Sequence, residues 1–496
     1  MGILKKITSF FKGGRDKKVQ EDQQQSFFTE DILLALYQEF IMSRKFEWFG
    51  IGRRYYKGEN DILRRVMTTT KDGKRVIDTS QPNNKLNHCF AKALVDQKVD
   101  YSFGKPPKLT CEDENYLDQV TKILKDNKFN YRIKKAATLT SNTGITWLHP
   151  YIDESGSFKF DLIPAEQIIP QWADDMHDQL ESCIRAYNIT SYAMGSPQEV
   201  TVLEYWTPEG FTKYKLNGNS LIPFANYDLL DITTGSRNGQ EPHYMAGDFF
   251  KSWGKVPFIA FKNNMDEFPD VRYVKNLIDN YDLTRSDLGN ALQQLRNFII
   301  VLENAQGTDP EEFLENLRLY GLIKTTNVDG SGTKASILSN PIDCQASQEH
   351  TQTIKENIIE LLQGVNLNLD FKVPPSGVAL QLLYSALDIK ANGFETEFTQ
   401  TFDDLLYFIN KYLEDKNLIK GTPEPIELTF VRNTPQNIAE NIQNVKNSKG
   451  VISDKTLYKN HPFVKDPEEE EKQVEKERGA ADGYIDHAPF LQDYAK

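Results

Sequence analysis

One run of helix-compatible residues, from Ser376 to about Leu413, constrains this chain more than any other feature. At 1.5 Å per residue it spans ~55 Å, with Ser376 as a plausible N-cap and Gly393 near its middle as a candidate kink. In its second half Phe394, Phe398, Phe402, Leu405, Ile409 and Leu413 recur at steps of three and four, the mark of one face turned to a core. Directly before it stands "NLDFKVPPS", Asn368 to Ser376. Pro374 and Pro375 fix their own φ and restrict the residue before each, so the segment carrying Asp370, Phe371, Lys372 and Val373 is stiffened where it returns to the helix.

A second helical pattern covers 268 to 297, free of Gly and Pro after Pro269 except for Gly289. Val271, Val274, Ile278, Tyr281, Arg285, Leu288, Leu292 and Leu295 step along it by three and four, a narrow stripe suited to packing on other helices. Arg285 is costly on such a seam unless paired, which predicts an acidic partner on the next helix or on a second copy of the chain. A third helical pattern, "QEHTQTIKENIIELLQGVN", follows the insert 298 to 345. Within the insert "FIIVLEN" reads as a strand. "TDPEEFLENLRLYG" reads as a helix, with Asp309 as N-cap, Pro310 and Glu311 in the first turn, Glu312 at N3, Glu315 and Arg318 along it and Gly321 beyond its end. "LIKTTN" and "KASILSN", joined by the turn "VDGSG", add two strands. The expectation is a helical hairpin with a small α/β tip.

Elsewhere 27 to 66 reads as helical, "KDGKRVIDTSQPNNK" as turns, and Phe90, Leu94 and Lys98 as one face of a helix that ends before "FGKPPKLT". Another helix is expected over 115 to 137. Alternating runs such as "GITWLHPYID" and "EVTVLEYWTP" make 143 to 264 mostly antiparallel β. "PIELTFVRNTP" reads as a strand, 436 to 478 as acidic helix, the last eighteen residues as irregular, and residues 1 to 26 as a basic tail. The fold class is α+β.

Composition narrows function mainly by exclusion. The net charge is −13, so a tight, phosphate-neutralising grip on nucleic acid is not expected; DNA would be enclosed loosely instead. Cys89, Cys111, Cys183 and Cys344 form no CxxC pair, and no apolar run approaches the ~20 residues of a membrane span. There is no GxxxxGK[ST], HExxH or GxSxG, and the seven histidines are scattered. "WADDMHDQLE", with Asp174, Asp175, His177 and Asp178, reads as a solvated turn rather than a metal site, and Glu468 to Glu471 as a solvated helix face. No enzyme activity, cofactor or metal is expected.

Five blocks in order resemble the portal proteins of tailed bacteriophages, of the type found in siphophages of Gram-positive hosts. They are "YYKGENDILRR", "NKLNHCFAKALVDQKVDYSFGKPPKLT", "WGKVPFIAFKNN" with "VKNLIDNYDLTRSDLGNALQQL", "PPSGVALQLLYSALDIKAN", and "LTFVRNTPQN" with "GVISDKTLYKNHPFVKDPEEEEKQVEKE". The resemblance implies a ring, normally of twelve subunits, at one capsid vertex, through which double-stranded DNA enters and leaves without sequence recognition. It implies a wing over 27–265, stem helices over 266–297 and 346–366, and a clip over 298–345. It also implies a DNA-facing tunnel loop over 367–376, a long wing helix and strand over 377–432, a helical crown over 433–478 and a tail over 479–496. Partners implied are the terminase large subunit and later a head–tail connector at the clip, with capsid and scaffold proteins at the wing.

Overall fold

The computed structural model describes residues 29–79, 81–191, 197–223, 241–246, 249–294, 299–303, 309, 311, 334–338, 344–366, 377–432, 438–464 and 466–485. It is α+β throughout. Helices α1 (Glu30–Ile41) and α2 (Arg44–Tyr56) open it, Ser43 capping α2 by accepting from Phe46 N at 3.1 Å. Two short strands, β1 (Thr68–Lys71) and β2 (Lys74–Ile77), form a hairpin that runs into the segment expected to be rich in turns. Asp72 and Gly73 both take positive φ, the requirement of a two-residue hairpin turn.

Helix α3 (Phe90–Phe103) is followed by β3 (Lys108–Thr110). The single helix expected over 115–137 is two, α4 (Glu114–Asp126) and α5 (Phe129–Thr143), broken where Lys128 adopts φ 53°. The antiparallel region resolves into a five-stranded meander and a three-stranded sheet. The meander orders β10 (Ser220–Pro223), β9 (Phe211–Asn217), β8 (Gln198–Trp206), β7 (Leu180–Ser191) and β6 (Ile168–Trp172); the smaller sheet orders β13 (Ile259–Lys262), β4 (Ile145–Ile152) and β5 (Phe158–Ile163). Strands β11 (Tyr244–Ala246) and β12 (Phe249–Lys251) pair beside them.

The next helix starts later than 266: a 3₁₀ turn over Asp270–Tyr273 leads into α6 (Lys275–Gln294). Strands β14 (Ile299–Glu303) and β15 (Lys334–Leu338) pair antiparallel, and α7 (Cys344–Leu361) returns. Helix α8 (Gly377–Asp415) is unbroken through Gly393. Strand β16 (Glu427–Thr429) pairs with β3, then α9 (Ile438–Asn447), α10 (Asp454–Asn460) and α11 (Pro467–Ile485) close the described chain. Residues 479–485, expected to be irregular, are therefore helical. The Glu468–Glu471 run lies in the first turns of α11, where carboxylates complement the helix dipole and Asp466 accepts from Glu468 N and Glu469 N.

The predicted stripe of α8 is the spine of the largest core. Phe394, Phe398, Phe402, Leu405, Ile409 and Leu413 are all buried, against α3, α4, α5 and the small sheet. Phe394 stacks on Phe261 at 5.2 Å, and Phe103 meets Phe398 edge-on at 5.1 Å. Gly144 joins α5 to β4 at φ 89°, where a Cβ would stand 2.2 Å from the Glu267 carbonyl oxygen, so only glycine fits.

Candidate functional site, the two-helix hairpin and its anchors

Helices α6 and α7 pack together near the start of α6 and the end of α7. Val271, Val274 and Ile278 are buried with Ile354, Ile358 and Leu362, and Tyr55, Ala91 and Leu94 close the cluster. Tyr281 is half-buried, edge-on to Phe90 at 5.0 Å and to His88 at 4.7 Å. Beyond Ile278 the buried line of α6 turns polar: Asp282, Ser286 and Asn290, each four residues apart, are buried. Arg285 and Leu288 are half-buried, Leu292 is 49% exposed, and residue 295 lies outside the described residues.

The polar line has a partner that lies some 200 residues away in sequence. The extended segment 84–88 runs antiparallel along α6. His88 N donates to Asp282 Oδ1 at 3.0 Å, Leu86 N to Ser286 Oγ at 2.9 Å, and Asn84 N to Asn290 Oδ1 at 2.7 Å. Two residues of extended chain advance about 6.6 Å and four residues of helix about 6 Å, so every second strand N–H meets every fourth helix side chain. Asn60 Nδ2 adds a 2.7 Å bond to Asp282 Oδ2, and the His88 ring lies 2.8 Å from Oδ1. Burial raises the Asp282 carboxyl above its ordinary range, and these hydrogen bonds pull it back only in part. Among the described residues no carboxylate pairs with Arg285, and its Nε is buried without an acceptor.

Where α6 begins, three elements meet on a buried charge cluster. Lys98 of α3 donates to Asp270 Oδ2 and to Asn263 Oδ1, both at 2.7 Å, and lies 4.2 Å over the Phe394 ring. Asn263 Nδ2 donates to Asp270 Oδ1 at 3.0 Å, and Lys390 of α8 stands 3.6 Å from the same oxygen. Lys390 also donates to the Leu362 carbonyl at 2.9 Å, at the end of α7. Burial pushes the Lys98 ammonium down to about 8 against the pull of Asp270. Burial opposes the Asp270 carboxylate too, but Lys390 and Lys98 outweigh it and hold the group well below the usual range.

The segment proposed from sequence to face DNA is held at both ends. Gln97 clamps Val365: Val365 N donates to Oε1 at 2.7 Å, and Nε2 donates to the Val365 carbonyl at 3.2 Å. A Cβ on neighbouring Gly364 would stand 2.4 Å from Leu94 Cδ2, so α3 and this exit from α7 touch closely. At the other end Gly377 N donates to Glu440 Oε2 at 2.7 Å. Asn368, Asp370, Phe371, Lys372, Val373, Pro374, Pro375 and the cap candidate Ser376 lie outside the described residues. At the tip, Asp309 Oδ1 accepts from Glu311 N at 3.0 Å, the bond an N-cap makes; Glu312, Glu315, Arg318 and the "LIKTTN" strand lie outside the described residues.

Sequence reasoning missed Gln97, Asp270, Lys390 and the polar line of α6. One signal was available: Lys98 shares a helix face with Phe90 and Leu94, and a lysine on an apolar face needs a buried anion. No group of three metal-binding side chains gathers among the described residues. Asp174 instead closes a turn, accepting from Met176 N at 2.8 Å, Asp178 N at 3.0 Å and Gln179 N at 2.7 Å, while His177 Nδ1 lies 2.8 Å from Glu267 Oε1. No described helix is long and apolar enough to cross a membrane.

The described residues thus gather an anchored pair of helices, the β14–β15 ribbon and a long helix whose first residue is pinned by Glu440. The chain belongs to the phage portal protein family described as SPP1 Gp6-like, whose profile matches residues 51–484, and its role is that of a structural connector. It is 31% identical over 434 residues to the portal protein of Bacillus phage SPP1, covering 86% of this chain and 82% of that protein. It is 30% identical over 431 residues to the portal protein of Clostridium phage phiCD119, covering 85% of this chain and 90% of that one.

Proposed function

We propose that copies of this chain, twelve in the complete assembly, close head to tail into a ring at one capsid vertex, and that double-stranded DNA passes through its centre during packaging and ejection. The observation that carries this reading is the pinning of the α7–α8 connection by Gln97 and Glu440 on an anchored hairpin: a segment fixed at both ends can be presented to a channel in every copy. On this reading 27–265 is the wing, with α8 and β16 over 377–432. The stem is 266–297 with 346–366, 298–345 is the clip, 367–376 the tunnel loop, and 433–478 the crown, which continues helical to Ile485.

The tunnel loop offers Lys372 to phosphate and Asp370 to offset it, which keeps contact weak enough for a duplex to slide. The chain's negative charge repels and centres the duplex elsewhere. No phosphate-cradling motif is present, so a separate ATPase, the terminase large subunit, docks at the clip around Asp309, Glu311, Glu312, Glu315 and Arg318. A head–tail connector takes that place later, and the wing meets capsid and scaffold proteins.

Negative-stain microscopy of the purified full chain tests the ring: closed particles with a central hole are expected, and compact monomers with nuclease or hydrolase activity would overturn it. For the loop, replacing Asp370 to Pro375 with a Gly/Ser linker should leave rings intact and impair DNA packaging or retention. Unchanged packaging would remove the loop from the mechanism.

A further inference from the structure

The β1–β2 hairpin is not buried against any element among the described residues. None of its residues is buried, and Val66 at its base and Ile77 at its end are 57% and 68% exposed. A lone two-stranded ribbon is marginal in water. Its charges compound the problem: Lys71 stands directly opposite Lys74 in the register, with Arg75 next to it, and none of the three side chains has an ionic or hydrogen-bonded partner among the described residues.

Its height on the molecule is fixed. Arg65, at its base, pairs with Asp287 of α6 at 2.6 Å, and Asn83, after its return, donates to the Arg65 carbonyl at 3.2 Å. In a closed ring there is no axial rise, so mating patches on neighbouring copies stand at the same height. Asp287 and Glu349 lie equally far along their antiparallel helices from the shared Ile278 and Ile358 core, roughly 13 Å. With α6 and α7 taken to run along the ring axis, the surface at the height of Arg65 and Asp287 includes the Glu349 end of α7.

That surface has the complementary charge. Thr351, Ile354 and Ile358 of α7 are buried on one side, and Glu349, Thr353, Glu356 and Glu360 are exposed on the other. Among the described residues the carboxylates of Glu349 and Glu356 accept only from the neutral amides of Gln345 at 3.0 Å and Gln352 at 2.7 Å. We propose that the Thr68–Ile77 hairpin is a clasp lying on the outer face of α7 of the adjacent copy, with Lys71, Lys74 and Arg75 against Glu349 and Glu356. The clasp rests on the ring reading above and names one of the two faces that close it.

Two measurements on the full chain test it. In rings assembled from mixed ¹⁴N and ¹⁵N protein, zero-length carbodiimide coupling should join Lys71 or Lys74 to Glu349 or Glu356 in heavy–light pairs. Lys71→Glu with Lys74→Glu and Arg75→Glu should raise the protein concentration for half-assembly about tenfold, and adding Glu349→Lys with Glu356→Lys should restore it. Wild-type rings without those heavy–light links, or charge reversal that leaves assembly unchanged or is not rescued, would overturn the clasp while the ring stands. Absence of rings from the wild-type chain would remove the ring reading itself.

Discussion

Gln97 and Val365 exchange two hydrogen bonds, the side-chain amide of one occupying both main-chain groups of the other, at 2.7 and 3.2 Å. A glutamine in the middle of α3 thus acts as a short stretch of strand for the chain leaving α7. Gln97→Leu removes both partners while keeping the bulk and strands a part-buried N–H and carbonyl. We expect a loss of about 1–3 kcal/mol in urea unfolding and faster amide exchange at Val365. Unchanged exchange there would show that the clamp does not hold in solution.

Asp270 is the common anion of two lysines. Asp270→Asn leaves Lys98 buried without its counter-charge and should cost about 3–5 kcal/mol, read as a large drop in thermal midpoint. Lys98→Met combined with Asp270→Asn should recover part of that loss, because it removes the stranded cation.

Acid should weaken the fold. Burial lowers His149 and His243 to about 4, so both stay neutral in the fold while the unfolded chain protonates near 6.5. A base with a depressed folded value contributes stability that is present above the unfolded value and lost as pH falls. Stability should therefore decline between about pH 6.5 and 4 by up to ~1.4 kcal/mol per pH unit for each histidine. Denaturant midpoints across that window measure it, and His149→Phe should flatten the slope by about half.

Gly144 and Gly393 should respond oppositely to alanine. At Gly144 the backbone is left-handed and the new methyl would strike the Glu267 carbonyl, so Gly144→Ala should destabilise strongly. At Gly393 a Cβ meets nothing within 4 Å in the middle of a helix, so Gly393→Ala should stabilise by about 0.5–1 kcal/mol. Thermal melts of the two variants make the comparison.

Periodic features were legible in the sequence and sequence-distant ones were not. The α8 stripe from Phe394 to Leu413 announces itself because one face repeats with the helix. The seam from Val271 to Ile278 does so for the same reason. Below Ile278 the same pattern continues in sequence, yet the buried positions shift to Asp282, Ser286 and Asn290, because segment 84–88 covers that side. Nothing near those residues in sequence reports a strand packed on a helix. The Lys98 cluster is hidden likewise, its members contributed by α3, the Asn263–Asp270 turn and α8. The hairpin at Asp72–Gly73 has a local signal, an Asp-Gly pair between short β-prone runs.

Helix α8 has a further consequence. Its first buried residue is Leu387, so the ten residues from Gly377 project beyond the core like the free arm of a cantilever, about 15 Å long. That arm is steadied by Tyr384 stacked on Tyr101 at 5.8 Å and by the Glu440 bond to Gly377. Bending it exposes no phenylalanine of the spine. In the proposed ring, deflection of the tip in one copy would leave the phenylalanine spines of all copies in place, an independently sprung element at every station.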